Sequence, residues 1–92
     1  MVPDYVIGQL VFSKTGRDKG KLFIVVGIEG EYLYLADGKL RKVEKPKKKK
    51  IKHVQKTNHV VEIIKEKILG DGRLNNADIR KALKQYINAS SN

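Results

Sequence analysis

The residues able to do chemistry in this chain are cations, and they fall in two stretches. The first is "KTGRDKGK", where Lys14, Arg17, Lys19 and Lys21 surround Gly16 and Gly20. Glycine accepts backbone angles that other residues resist and lets a loop approach a sugar-phosphate backbone closely, while the cations neutralise its charge. The second runs from Lys39 to Lys56. It holds Lys39, Arg41, Lys42, Lys45, Lys47, Lys48, Lys49, Lys50, Lys52 and Lys56 against one acid, Glu44, with His53 among them, a net +9 in eighteen residues. The whole chain of 92 residues carries +10, so the charge is a patch rather than a general bias. Such a patch attracts polyanions: RNA, DNA, an anionic membrane or an acidic protein. Each stretch also has a plainer reading, the first as a solvated hairpin loop and the second as a mobile lysine run.

Bond-making chemistry has no visible constellation. Asp18, Glu29, Glu31, Asp37 and Glu44 sit among turn residues or beside lysines and read as turn-formers or charge balance, not as a paired-carboxylate site. The chain has no cysteine and no Ser-His-Asp order, so nucleophilic catalysis has no candidate and the protein is not read as an enzyme. His53 and His59 stand six apart with no carboxylate at ligand spacing, a poor metal site; neither metal nor cofactor is expected. The glycine loop lacks the G-x-x-x-x-G-K-[ST] spacing of a nucleotide-binding loop and leads into a strand pattern rather than a helix.

The elements that must position these cations divide the chain in two. The first half reads β: "IGQLVFS" (7–13), "KLFIVVGI" (21–28), and "EYLYLA" (31–36), which alternates with Tyr32 and Tyr34 on one face and Leu33 and Leu35 on the other. The short link through Gly30 predicts a hairpin, and Asp37–Gly38 marks the next turn, into "KLRKV". "IKHV" (51–54) reads as a last short strand, with Pro46–Lys50 as a basic connection pinned at both ends. Four or five short strands in so few residues predict a small barrel. The second half reads α. A helix over about 58–69 has Thr57 or Asn58 as its cap and a stripe of Val60, Val61, Ile64 and Ile68, and "GDG" (70–72) stops it. A second helix over about 75–88 has a capping box of Asn75 and Asp78, a staple of Leu74 with Ile79, and a stripe of Ile79, Ala82, Leu83, Tyr86 and Ile87, with "NASSN" frayed. The two stripes are expected to pack within the chain.

"GQLVFSKTGRDKGKLFIVVGIEGEYLYLADG", Gly8 to Gly38, resembles a KOW motif, with Gly20 at the position of the motif's characteristic glycine. "VEKPKKKKIKHVQKT" (43–57) is similar to the basic run and short strand of the archaeal and eukaryotic large-subunit ribosomal proteins of the fourteen-e kind. His53, Val54 and Thr57 fall on that strand's histidine, leucine and threonine, while Gln55 and Lys56 replace its acid and proline. The whole chain also resembles small KOW-domain proteins of Gram-positive bacteria described as RNA-binding. The resemblance implies a mainly β fold with C-terminal α: an SH3-like small β-barrel over 1–56, including the basic connection 39–52, then a helical pair over 57–92. It implies an RNA partner, most directly rRNA of the large ribosomal subunit. The RNA-binding residues would be Lys14, Arg17, Lys19, Gly20, Lys21, Lys39, Arg41, Lys42, Lys45, Lys47, Lys48, Lys49, Lys50, Lys52 and His53. Among these, Arg17 and Arg41 are the candidates for directed two-point contacts, since lysine acts as a point charge. Tyr5, Tyr32 and Tyr34 read as base-stacking rings or as ordinary packing.

Two functions from different classes follow. One is an RNA-binding module on the ribosome, monomeric when free, with its two basic stretches forming one positive face. The other is a protein-interaction adaptor for transcription or translation machinery, in which the barrel or the C-terminal helices hold a protein partner and the lysines tune solubility. An RNA binder needs aligned cations; an adaptor needs an exposed apolar patch. "MVPDYVIGQLVFSK" has no signal-peptide pattern, and apolar runs such as Phe23–Val26 are too short to span a bilayer, so a cytoplasmic protein without a membrane partner is expected, and the resemblance implies that it is ribosome-associated.

Overall fold

The computed structural model describes residues 4–70 and 72–90. Asp71, in the expected helix stop, and Ser91 and Asn92, at the expected frayed end, lie outside the described residues. The elements are β1 (Gln9–Ser13), β2 (Leu22–Glu29), β3 (Tyr32–Ala36), β4 (Lys47–Lys50), a 3-10 turn (Ile51–His53), β5 (Val54–Val60), α1 (Glu62–Leu69) and α2 (Asn76–Ser90). The strands form one five-stranded antiparallel sheet in the order β4-β3-β2-β1-β5, with two helices after it. The described pairings leave β4 and β5 as the sheet's two edges, joined in sequence by the 3-10 turn.

Pattern and structure agree closely at β2 and β3. Glu29 pairs with Tyr32 across the tight link, where Gly30 takes a φ of 57°. Leu33 and Leu35 are fully buried while Tyr32 and Tyr34 are half-buried on the other face. The uninterrupted apolar run of β2 has a structural cause: both of its faces are covered. Phe23 and Val25 join Val11, Leu33, Leu35 and Val54 in one cluster, whereas Leu22 and Ile24 join Leu10, Ala36, Ile64, Ile79 and Leu83 in a second cluster beneath the helices. The helical stripes therefore pack within the chain and complete one of its two cores, except for Ile87, which is exposed.

Three elements differ from their sequence reading. Lys47–Lys50 is itself strand β4, not a connection, and of "IKHV" only Val54 is in a strand, the rest forming the 3-10 turn. "KLRKV", which the Asp37–Gly38 turn leads into, forms no strand: the Asp37 carboxylate accepts from the Lys39 and Arg41 amides, and the Asp37 and Gly38 amides both donate to the Arg41 carbonyl. Residues 58–60, expected in the first turn of the helix, extend β5, and α1 begins only at Glu62 behind an uncapped Val61. The β-branched Thr57, Val60 and Val61 disfavour helix, and β1 supplies a ladder for them: Gln9 pairs with Val60, and the Thr57 hydroxyl donates to the Leu10 carbonyl at 2.7 Å. The second helix starts as its sequence predicts. Asn75 Oδ1 accepts from the Asp78 amide at 2.9 Å, and Asp78 Oδ2 accepts from the Asn75 amide at 3.3 Å. It continues through Asn88–Ser90 instead of fraying.

The β3–β4 connection is fixed by α2. Asn76 Oδ1 accepts from the Val43 amide at 2.8 Å, its Nδ2 donates to both Glu44 carboxylate oxygens, and Arg80 Nη1 donates to the Gly38 carbonyl at 2.6 Å. Gly38 has a φ of 78° and lies so close to α2 that a Cβ there would stand 2.5 Å from the Asn76 carbonyl oxygen. Gly38→Ala combines left-handed strain with a backbone clash, and a loss of about 2–4 kcal/mol is expected in urea-unfolding midpoints. A second prediction concerns acid. The Lys67 ammonium, 3.1 Å from Asp78, and then the Asn75 amide hold the Asp78 carboxyl below its ordinary 3.8. A depressed carboxylate stabilises the fold above its unfolded value, and the contribution disappears as pH falls through the lower folded value. Stability is therefore expected to fall less between about pH 6 and about pH 3 in Asp78→Asn than in the parent, read by thermal melts across that range.

Candidate nucleic-acid interface

β4 pairs with β3 in the register Tyr32–Lys50, Leu33–Lys49, Tyr34–Lys48 and Leu35–Lys47. Strand alternation sorts the four lysines in pairs. Lys48 and Lys50 share a face with the two tyrosines: the Lys48 ammonium lies 4.6 Å from the Tyr32 ring centre and 5.9 Å from that of Tyr34, and the Lys50 ammonium lies 5.9 Å from that of Tyr32. Glu29 accepts from Lys48 at 3.3 Å, and this hydrogen bond, followed by the Tyr34 hydroxyl, raises the Lys48 pKa and keeps it charged. Lys47 and Lys49 share the opposite face with the buried Leu33 and Leu35, and each is half-buried.

The β1–β2 loop, Lys14–Lys21, is joined to β4 and the 3-10 turn by two bonds. Lys49 Nζ donates to the Thr15 carbonyl at 2.8 Å, and the Lys14 amide donates to the His53 carbonyl at 2.9 Å. The two basic stretches, remote in sequence, thus meet where β4 and the 3-10 turn reach the β1–β2 loop. Lys14, Arg17, Lys19, Gly20, Lys21, Lys48 and Lys52 are exposed, and Lys50 and His53 are half-buried. Gly20 has a φ of 84° and no neighbour within 4 Å of where a Cβ would stand, so a ligand can come close to its backbone. The nearby Asp18 offsets part of the charge of two cations, Arg41 and Lys21, but is withdrawn from the surface. Its side chain is 7% exposed and is held by Arg41 Nη2 at 3.0 Å, with Lys21 at 3.9 Å.

Arg41, expected to grip a ligand in two places, has one guanidinium nitrogen committed to Asp18, and its Nε is buried without an acceptor. Its position ties the β3–β4 connection to the β1–β2 loop. Lys39, Lys42 and Lys45 are exposed on the connection; Lys45 closes a turn on the Lys42 carbonyl, and Lys39 lies on the side facing α2. Sequence reasoning missed Arg80 and Lys84, which join Lys39 and Lys21 around a groove beside α2. They stand on a helix of mixed charge, and only the docking of that helix brings them next to the patch. It also missed Asp18 as a buried partner, because an acid in a basic loop reads as a turn-former. Tyr5 packs against the first cluster and has its pKa raised by burial, with Lys56 5.8 Å from its ring centre.

Among the described residues no group of three or more His, Cys, Asp or Glu side chains could hold a metal ion, and no helix is long and apolar enough to cross a membrane. No protein-family model matches the chain, and no match is found among curated proteins. The interface must therefore be interpreted from its own chemistry.

The Arg41–Asp18 pair gives a direct test of how the two loops are held. Arg41 is 32% exposed, so screening discounts its charge, but its removal leaves the Asp18 carboxylate buried beside a lysine at long range. Arg41→Ala is expected to cost about 2–3 kcal/mol in urea unfolding. Adding Asp18→Asn to that variant should recover part of the loss by removing the orphaned charge.

Proposed function

We propose that this protein binds RNA through the edge formed by β4, the 3-10 turn and the β1–β2 loop, with rRNA of the large ribosomal subunit as its target. The carrying observation is the pair of bonds from Lys49 to Thr15 and from Lys14 to His53, which merge two separate basic stretches into one surface. The buried Asp18 supports the reading, since the loop's acid is turned away from a ligand. The sheet order and the 3-10 turn between β4 and β5 favour an SH3-like small barrel whose two edges approach each other through that turn. The resemblance of residues 8–38 to a KOW motif points the same way. Binding is by charge neutralisation and shape, with no reaction. Lys14, Arg17, Lys19, Lys47, Lys50 and Lys52 contact phosphate, and Gly20 gives the backbone room to approach. The protein works in the cytoplasm in this reading, bound to the ribosome.

If about six of these cations engage phosphates of irregular or single-stranded RNA, the slope of log affinity against log salt is about −4. Fluorescence titration of a large-subunit rRNA fragment measures it. Lys50→Gln and Lys52→Gln together should make the slope shallower by about 1.4, whereas Lys81→Gln, on the helix, should leave it unchanged. In cell lysate, the protein should sediment with the large subunit at low salt and leave it as salt rises. Migration only at the top of a low-salt gradient overturns the ribosomal assignment, and a salt slope near zero overturns the electrostatic one.

A further inference from the structure

On the far side of the β1–β2 loop from β4 lies an open groove of about 940 Å³ between the sheet and α2. Its lining includes Phe12, Leu22 and Leu83, three members of the helix-covered core or its margin. Leu40, 75% exposed, and Ile87, 53% exposed, stand along it as large apolar side chains at the surface. Cations rim both banks: Lys21 and Lys39 from the loops, Arg80 and Lys84 from α2. The one acid in the lining, Asp37, has a carboxylate oxygen engaged by the amides of Lys39 and Arg41. On α2 the lining positions 80, 83, 84 and 87 follow the spacing of a single helical face.

We propose that this groove docks an acidic amphipathic segment of a partner protein, on a surface that meets the RNA-binding one at Gly20 and Lys21. An apolar floor between two cationic banks is complementary to an apolar stripe flanked by carboxylates, the pattern of a helix laid into a groove with anchors at i, i+3 or i+4, and i+7. The exposed side chains favour a peptide over nucleic acid, since Phe12, the one aromatic ring of the lining, is half-buried against the helix-covered core. Base recognition on a protein surface uses aromatic platforms, and here the exposed apolar side chains are Leu40 and Ile87. The flanking carboxylates would meet Lys21 and Lys39 on one bank and Arg80 and Lys84 on the other, which fixes the orientation of the segment and suppresses basic competitors. Arg80 keeps its bond to the Gly38 carbonyl while facing the groove, so the connection that forms one bank is pre-organised.

The test is a nuclear magnetic resonance titration of the full isotope-labelled chain with a set of synthetic peptides of about 14 residues, roughly 21 Å as helix, to match α2. The peptides carry Leu, Ile or Phe anchors at helical spacing between glutamates. Controls are scrambles of identical composition and a uridine oligonucleotide. The expected result is saturable amide shifts at Lys39, Leu40, Lys84 and Ile87 with at least one patterned peptide, and at least about ten-fold weaker binding of its scramble. Leu40→Glu combined with Lys84→Glu, both at exposed positions, should weaken that peptide at least about ten-fold while the spectrum of the free variant stays folded. Four results overturn the proposal: no patterned peptide binds; scrambles bind equally well; the shifts fall on Lys48–Lys50 instead; or the oligonucleotide displaces the peptide from the groove. Reversible dimerisation in sedimentation equilibrium that Leu40→Glu abolishes also overturns it, since a second copy would then be the occupant.

Discussion

The candidate RNA surface depends on holding four consecutive lysines extended at the edge of a sheet. Like charges at such spacing repel, and lysine is a poor strand former, so the strand is not stable on local grounds. The ladder to β3 stabilises it, because β3 is itself fixed by Leu33 and Leu35 in the core. Alternation then halves the repulsion by sending Lys48 and Lys50 to the tyrosine face and Lys47 and Lys49 to the other. Each face supplies its own compensation: ring faces and the Glu29 carboxylate for Lys48, the Thr15 carbonyl for Lys49. A charged edge strand also resists pairing with a further chain, so the lysines protect the sheet at the edge where it is open.

The C-terminal helices set where that strand begins. The connection leading into β4 has no regular structure of its own, and its course is determined by Asn76, which holds Val43 and Glu44, and by Arg80, which holds Gly38. A segment without a ladder needs side-chain partners for its amides, and α2 provides them together with the Asp37 carboxylate. Burial drives the arrangement from below. β2 is apolar on both faces, so one face requires a cover, and Ile64, Ile79 and Leu83 supply it. The helices thus share a core with the sheet, and the position of the lysine run follows from how α2 holds the connection that leads into it.

What the sequence disclosed and what it concealed divide along one line. Local signals were legible: the Asn75–Asp78 box, the hairpin at Gly30 and the Tyr–Leu alternation of β3 each rest on residues within a few positions of one another. Long-range signals were not. Thr57–Val60 read as a helix start because a capping residue precedes an apolar stripe, and only the ladder to β1 makes them strand, although the run of β-branched side chains was a hint. Lys47–Lys50 read as a connection because lysine carries no strand signal, and its partner lies across the sheet. Of the candidate site, the cations themselves were visible by composition. Their assembly, the burial of Asp18 by Arg41 and the recruitment of Arg80 and Lys84 follow from tertiary docking that no spacing in the chain encodes.

The same loop, Lys14–Lys21, borders both surfaces, and its anchoring explains how two sets of cations keep separate characters. At its start, Thr15 is tied to Lys49, among tyrosines and lysines at the sheet edge. At its end, Gly20 and Lys21 line the aliphatic groove beside α2. Between them Asp18 is buried and gripped by Arg41, which itself sits at the base of the connection that carries Lys39 and Leu40. Because the pair is partly withdrawn from solvent, it responds to salt less than exposed lysines do. Salt that screens the outer cations therefore leaves the frame between the two surfaces in place, so each surface can gain or lose a ligand without the loop having to re-form.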